Sequence, residues 1–217
     1  MLETKLLPTE DGRYYLLLGF IPEGSDYAYN ENHLLELDHD FNVVHDLDFG
    51  LYDGSLSSFC IVGSKIFANI NKQGIGSDGR GLKAQTVLVY DLDSGASTGQ
   101  KIDLDVSSGG SLSYDSVSGN VVLQRPLAND GETDFFNIPA VLINTDNYTA
   151  TDLVLPDSVV PVTEGRPPFT FVKNGQFCYL TPMQLVIWDL ITLETNVYSL
   201  EGISEDGNGI FIPDQNG

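Results

Sequence analysis

The chain is predicted to be all-β, a β-propeller of four-stranded antiparallel blades, on three observations. No stretch of its 217 residues carries a sustained i, i+3, i+4 apolar stripe of helical length. Short apolar runs recur instead, each bounded by Gly, Asn, Asp or Ser. One strand–turn–strand frame returns every 44 to 54 residues or so, the repeat length of a four-stranded blade.

The frame is carried by Leu35-Glu-Leu-Asp38, Leu88-Val-Tyr-Asp91, Leu142-Ile-Asn-Thr145 and Val186-Ile-Trp-Asp189. A short polar turn follows each, and then a second alternating strand at 43–48, 101–105, 151–155 and 196–200. Asp at the last strand position can cap such a turn through its side chain, and Gly or Asn can supply the positive φ a tight hairpin needs. A second hairpin is marked by Gly just ahead of an apolar strand, at Gly12, Gly63, Gly119, Gly175 and Gly207. Two hairpins per repeat place blades at about 1–50, 51–105, 106–156 and 157–200, with 201–217 opening a partial one. Residues 1–7 are expected to lend an edge strand to that partial unit and close a ring, or else another chain or a missing segment completes it. The second option is favoured, because a partial ring alone leaves sheet edges exposed.

Val87-Leu-Val-Tyr-Asp-Leu-Asp-Ser-Gly95 and Val186-Ile-Trp-Asp-Leu-Ile-Thr-Leu193 resemble the third strand and turn of WD40/YVTN/quinoprotein-like β-propeller repeats. Leu7-Pro-Thr-Glu-Asp-Gly12 and Ile203-Ser-Glu-Asp-Gly207 are similar to the Ser-Pro-Asp-Gly turn of WD40-like propellers. The resemblance implies architecture across most of the chain and no particular activity. With one Trp in the chain, the repeated tryptophan motif of quinoproteins is missing and a PQQ cofactor is not expected. Trp188-Asp189 has no Gly-His partner, and Gly109-Gly110 stands alone, unlike a kelch repeat.

Composition narrows the function. Ten Lys+Arg against 31 Asp+Glu give a formal charge of −21, so nucleic acid and anionic membrane surfaces are not expected partners. At 41% apolar and 10% aromatic the chain can bury a core, unlike a disordered acidic segment. No apolar run approaches the ~18–20 residues of a membrane span, and membrane insertion is not expected. Met1-Leu-Glu-Thr-Lys5 has no signal-peptide character, so any export signal is expected outside this stretch. Cys60 and Cys178 sit in apolar runs and read as buried small hydrophobes rather than a disulfide. No Cys-x-x-Cys or Cys/His cluster offers a zinc or haem site.

Long connections between second and third strands, at 21–32, 71–84 and 125–139, elaborate one face, and 156–168 adds to it. Binding residues concentrate in such loops. Candidate ligand-binding residues there are Tyr27 and Tyr29 for stacking, with Lys72, Arg80, Arg125 and Arg166 as cationic donors for an anionic or carbohydrate-like ligand. The alternative reading of the bases as solvated counter-charges stays open. Asp130, Glu132 and Asp134 alternate in one loop and form a candidate Ca2+ site, while Glu23, Asp26 and Glu31 share another loop. No other cofactor is expected. His33, His39 and His45 all fall in the first blade and are not expected to converge.

The leading expectation is a non-enzymatic, extracytoplasmic recognition module that binds a protein or glycan partner on the loop-rich face. The rival is a propeller enzyme of the lyase, lactonase or glycosidase kind, using loop carboxylates with or without a divalent cation. A structural repeat within a larger assembly is the third.

Overall fold

The computed structural model describes residues 4–8, 12–20, 23–24, 29–53, 55–75, 81–104, 110–125, 137–159 and 168–200. They form sixteen strands in four antiparallel sheets. Sheet one holds β1 (Thr4–Pro8), β2 (Tyr14–Phe20), β3 (Tyr29–Leu37) and β4 (Val43–Asp53). Sheet two holds β5 (Ser55–Val62), β6 (Lys65–Ile75), β7 (Gly81–Asp91) and β8 (Ser97–Leu104). Sheet three holds β9 (Ser111–Asp115), β10 (Asn120–Gln124), β11 (Ala140–Asn144) and β12 (Ala150–Leu153). Sheet four holds β13 (Phe169–Lys173), β14 (Gln176–Leu180), β15 (Gln184–Asp189) and β16 (Thr195–Ser199). Each sheet is a plain up-and-down meander, which is the propeller blade the repeats predict.

The side-chain alternation of the strands explains how the blades stack. In β10, Val121 and Leu123 point to the interface with the second blade, whereas Val122 points to the fourth. In β6, Ile66, Ala68 and Ile70 meet the first blade's Tyr15, Leu17, Leu34, Leu47 and Phe49, and Phe67 meets the third. Central blades therefore bury both faces, so all five residues from Ile66 to Ile70 are buried. Outer strands β8, β12 and β16 are largely exposed. First strands lie inside: β5 packs on β9, and β9 on β13. Cys60 and Cys178 are buried free thiols, as their apolar runs predict, and burial pushes the Cys178 pKa up to about 11.

The turns follow the predicted chemistry with two changes. Asp38, Asp91 and Asp189 each accept backbone N–H bonds from their own turns, at 2.8–2.9 Å, through Oδ1. Asn144 rather than Thr145 does so in the third blade. Side-chain hydrogen bonds from Asn42 to Asp38 and from Ser94 to Asp91, with the backbone bonds, hold these two aspartates below the usual carboxylate range, and the backbone bonds from Thr192 and Ile191 do so for Asp189. Gly12, Gly63, Gly119 and Gly175 all have positive φ, as their positions predict. In the other hairpin, however, the left-handed position is filled by Phe41, Gly95, Tyr148 and Leu193, so three of four are neither Gly nor Asn. The i→i+4 backbone bond of the turn holds Tyr148 and Leu193 there.

Buried Asp115 ties two blades together. Its Oδ2 accepts from Ser118 N at 2.7 Å within its own turn, and its Oδ1 from Gly175 N at 3.0 Å in the next blade. Burial raises its pKa, but these hydrogen bonds outweigh burial and leave it lowered.

Two expectations are corrected. The connection at 71–84 is mostly strand, because β6 and β7 stay paired out to Ile75 opposite Gly81. Ladder hydrogen bonds sustain this ribbon where the sequence, Asn71-Lys-Gln-Gly-Ile75, has no strand-like apolar pattern. Similarly, the loop at 21–32 gives up residues 29–32 to β3. Thr4–Pro8 pairs with β2 as the first strand of blade one, and residues 201–217, to which residues 1–7 are expected to lend an edge, lie outside the described residues.

Candidate functional site

Two charged positions among the described residues stand apart from ordinary surface. The first lies on β3 and β4, whose alternation sends Asn32, Leu34, Leu47 and Phe49 inward to the second blade. Glu31, His33 and Leu35 take the opposite face of β3. In register, His33 lies across from Asp48 and Leu35 across from Asp46, so both aspartates join that face. The ladder slips between Glu31 and His33, where Glu31 pairs with Leu51. That bulge bends β4 and re-aims the side chains beside it. Leu16, Leu18 and Leu35, all half-buried, adjoin the group and lower the local dielectric.

The His33 ring is bracketed by acids. Nδ1 lies 2.8 Å from Asp46 Oδ1, and Nε2 lies 3.4 Å from Glu31 Oε1. One ligand atom each from Glu31, His33 and Asp48 falls within 4.8 Å of the others. Burial pulls the His33 pKa down, but hydrogen bonds to Asp46 and Glu31, with the charges of Asp46 and Asp48, overcome it and raise it. In the absence of a cation these acids favour the imidazolium form of His33. With His33 neutral and Nδ1–H donating to Asp46, Nε2 is left as an acceptor facing Glu31 and Asp48. That set is one imidazole nitrogen plus two carboxylates, with a further carboxylate fixing the tautomer, as metal-binding histidines commonly have.

The second position is Arg125, just past the end of β10. Its N–H donates to Pro139 O at 2.9 Å, adding one rung to the β10–β11 ladder and placing it at the root of the 125–139 connection. The side chain is only 5% exposed. Nη2 lies 3.6 Å from Asp152 Oδ1 on β12, beyond hydrogen-bond range. Nε and Nη1 are buried with no hydrogen-bond partner among the described residues. Burial draws its pKa down, and Asp152 restores part of that loss.

Of the other residues singled out in the sequence, Tyr29 and Lys72 have their backbones in β3 and β6, opposite Asp53 and Ala84, and their side chains lie outside the description. Lys72 is thus a strand residue and not a loop residue. Tyr27, Arg80, Arg166, Asp130, Glu132 and Asp134 all lie outside the described residues. The three histidines do not converge, as the sequence predicts: His39 sits in the exposed β3–β4 turn with Asp40 at 3.2 Å, and His45 is on β4 opposite Glu36. The grouping of His33 with carboxylates was missed. Its signal is the pair of i, i+2 patterns, Glu31-x-His33 and Asp46-x-Asp48, on two strands of one hairpin.

The described strands give the chain a β-propeller-type fold of four-stranded antiparallel blades. No protein-family model matches it, and neither does any curated protein. Among solved structures it is similar to an ACO/RPE65 chimera, with 15% identity and a TM-score of 0.46, covering 90% of this chain and 49% of that one. It is also similar to YjhT, with 9% identity, a TM-score of 0.42, and coverage of 90% and 65%. A xylan β-1,4-xylosidase from Bacillus halodurans gives 11% identity, a TM-score of 0.42, and coverage of 90% and 41%. The chain thus spans roughly half the length of these structures, and such weak likenesses say nothing of its chemistry.

Proposed function

We propose that this chain is a cation-dependent propeller protein of the hydrolase or lyase kind, in which Glu31, His33 and Asp48 hold a divalent metal ion. The observation behind the reading is the meeting of these three ligand atoms within 4.8 Å, with Asp46 on the far nitrogen of the ring. Three protein ligands leave a coordination position for water or a substrate oxygen, where a cation can polarise a carbonyl or lower the pKa of bound water. A nitrogen ligand beside two carboxylates fits Zn2+ or Mn2+ better than Ca2+, which prefers oxygen alone. Calorimetric titration of chelator-stripped protein with Mn2+ and Zn2+ tests it. One stoichiometric site is expected, weakened at least a hundredfold in His33→Ala, and Ca2+ is expected to bind more weakly. Absence of a stoichiometric site would remove the reading. Hydrolysis or elimination assays on lactones and glycosides, with and without chelator, then test for turnover.

A second reading, recognition of a protein or glycan partner on the loop-rich face, draws its support from Arg125, a charge buried at the root of a long loop on that face.

A further inference from the structure

We infer that Arg125 anchors the carboxylate of a small-molecule acid. Calling it part of the loop-rich face rests on the recognition reading; the site itself depends only on the guanidinium. A buried charge is tolerated when it is paired and its donors are satisfied, and is costly otherwise. Arg125 has one acid nearby, at a distance too long for a hydrogen bond, and two donor atoms with no hydrogen-bond partner among the described residues. Neutral buried atoms such as Asn69 Oδ1 are also left without a hydrogen-bond partner, but the other buried charge among the described residues is satisfied. Buried Asp115 takes two backbone donors, and buried Ser58 accepts from Leu112 N at 3.1 Å. The guanidinium therefore stands as half of an interaction.

Shape and charge define the missing half. Guanidinium donors lie in one plane, and Nη2 forms a fork with Nε on one side and with Nη1 on the other. A planar oxyanion matches either fork with two parallel bonds. A carboxylate is planar and carries a single charge, which balances one Arg. Phosphate or sulfate would bring a second charge against Asp152, which is half-exposed, in a chain already at −21. A monocarboxylate is the class the site suits.

Sodium acetate and sodium glucuronate serve as probes, against sodium chloride and phosphate at fixed ionic strength. Chelator is present throughout, so the outcome is independent of any cation at His33. Unfolding is followed by the fluorescence of Trp188, the chain's one tryptophan and 3% exposed. Acetate and glucuronate are expected to raise Tm saturably, phosphate less, and chloride not at all. In chloride, Arg125→Met is expected to melt at or above the wild-type temperature, because it replaces an unsatisfied buried charge with an apolar chain, and it should lose the carboxylate response. Arg125→Lys keeps the charge without the fork and should weaken the response about tenfold or more. Asp152→Asn removes the competing charge and should lower the half-saturating acetate concentration.

Three results would overturn the inference. One is no carboxylate response in the wild type. Another is an equal response in wild type and Arg125→Lys. The third is an Arg125→Met protein that melts several degrees below wild type in chloride, which would mean that the chain's own acids already satisfy the guanidinium.

Discussion

His33 and Arg125 are both cationic groups on a strongly acidic chain, and their surroundings are opposite. His33 has a carboxylate on each ring nitrogen and a third acid across the strand pair. Among the described residues, Arg125 has one acid, at 3.6 Å, and two buried donors without hydrogen-bond partners. Net charge predicts neither arrangement, since a chain with three acids for each base should saturate every cation. What separates them is register against burial. The β3–β4 hairpin places three acids and a histidine on one side of the strand pair, where water offsets some of the repulsion. Arg125 follows Val121 and Leu123, which pack against the second blade, and its side chain is almost wholly buried. A surplus of carboxylates calls for a cation, and a solitary guanidinium calls for an anion.

After the His33→Ala titration, the next largest effect is expected at Asp46. Its carboxylate lies on Nδ1 and does not join the three candidate ligands, so it would orient the ring from outside. Asp46→Asn keeps the shape and removes the charge, and metal affinity is expected to fall about 10- to 100-fold, typical of such outer partners. The same substitution should lower the His33 pKa, readable by NMR. If affinity fell while that pKa stayed fixed, the histidine would not be the group through which Asp46 acts.

A pH series separates the imidazolium from the metal ligand. The folded pKa of His33 is raised, so its contribution to stability without metal is fully present below the unfolded value of about 6.5. It is lost as pH rises through the higher folded value. His33→Asn should flatten that part of the stability–pH curve, as measured by denaturant titration between pH 6 and 9. Metal binding runs the other way, because the cation must displace the ring proton. Apparent affinity should gain about tenfold per pH unit below the folded pKa and level off above it. Affinity independent of pH across that range would take His33 out of the ligand set.

How much was legible beforehand differs between the fold and these sites. Gly12, Gly63, Gly119 and Gly175 marked one hairpin per blade, and Asp38, Asp91 and Asp189 the other, because turn chemistry is local and repeats with the blade. The His33 group was not legible, because it exists only through cross-strand register, and a bulge shifts that register by one residue between Glu31 and His33. Glu31 reads as a loop acid until β3 is known to begin at Tyr29. Arg125 was visible as a base on the loop-rich face, but its isolation was not, since burial depends on what packs around a residue. The ribbon at 71–84 was mistaken for a loop for a related reason: pairing partners are non-local and composition is not.

The smallest effect serves as a control on both sites. Leu193 holds φ at 60° in the β15–β16 turn, a conformation disfavoured for any residue with a Cβ, and its side chain is 44% exposed. Leu193→Gly relieves that strain and gives up little burial, against the extra freedom glycine gains when unfolded. A net stabilisation of about 0.5–1 kcal/mol is expected, or roughly 1–4 °C in Tm for a chain of this length. Gly95, at the equivalent position of the second blade, shows that the turn accepts glycine. Because the turn is on a different blade from His33 and meets the third blade at Asn120, at the opposite end of β10 from Arg125, the variant should leave the metal isotherm and the acetate response unchanged while Tm moves. If either response moved with Tm, global stability would be feeding into that titration, and the contrast between the two sites would have to be redrawn from binding measured directly.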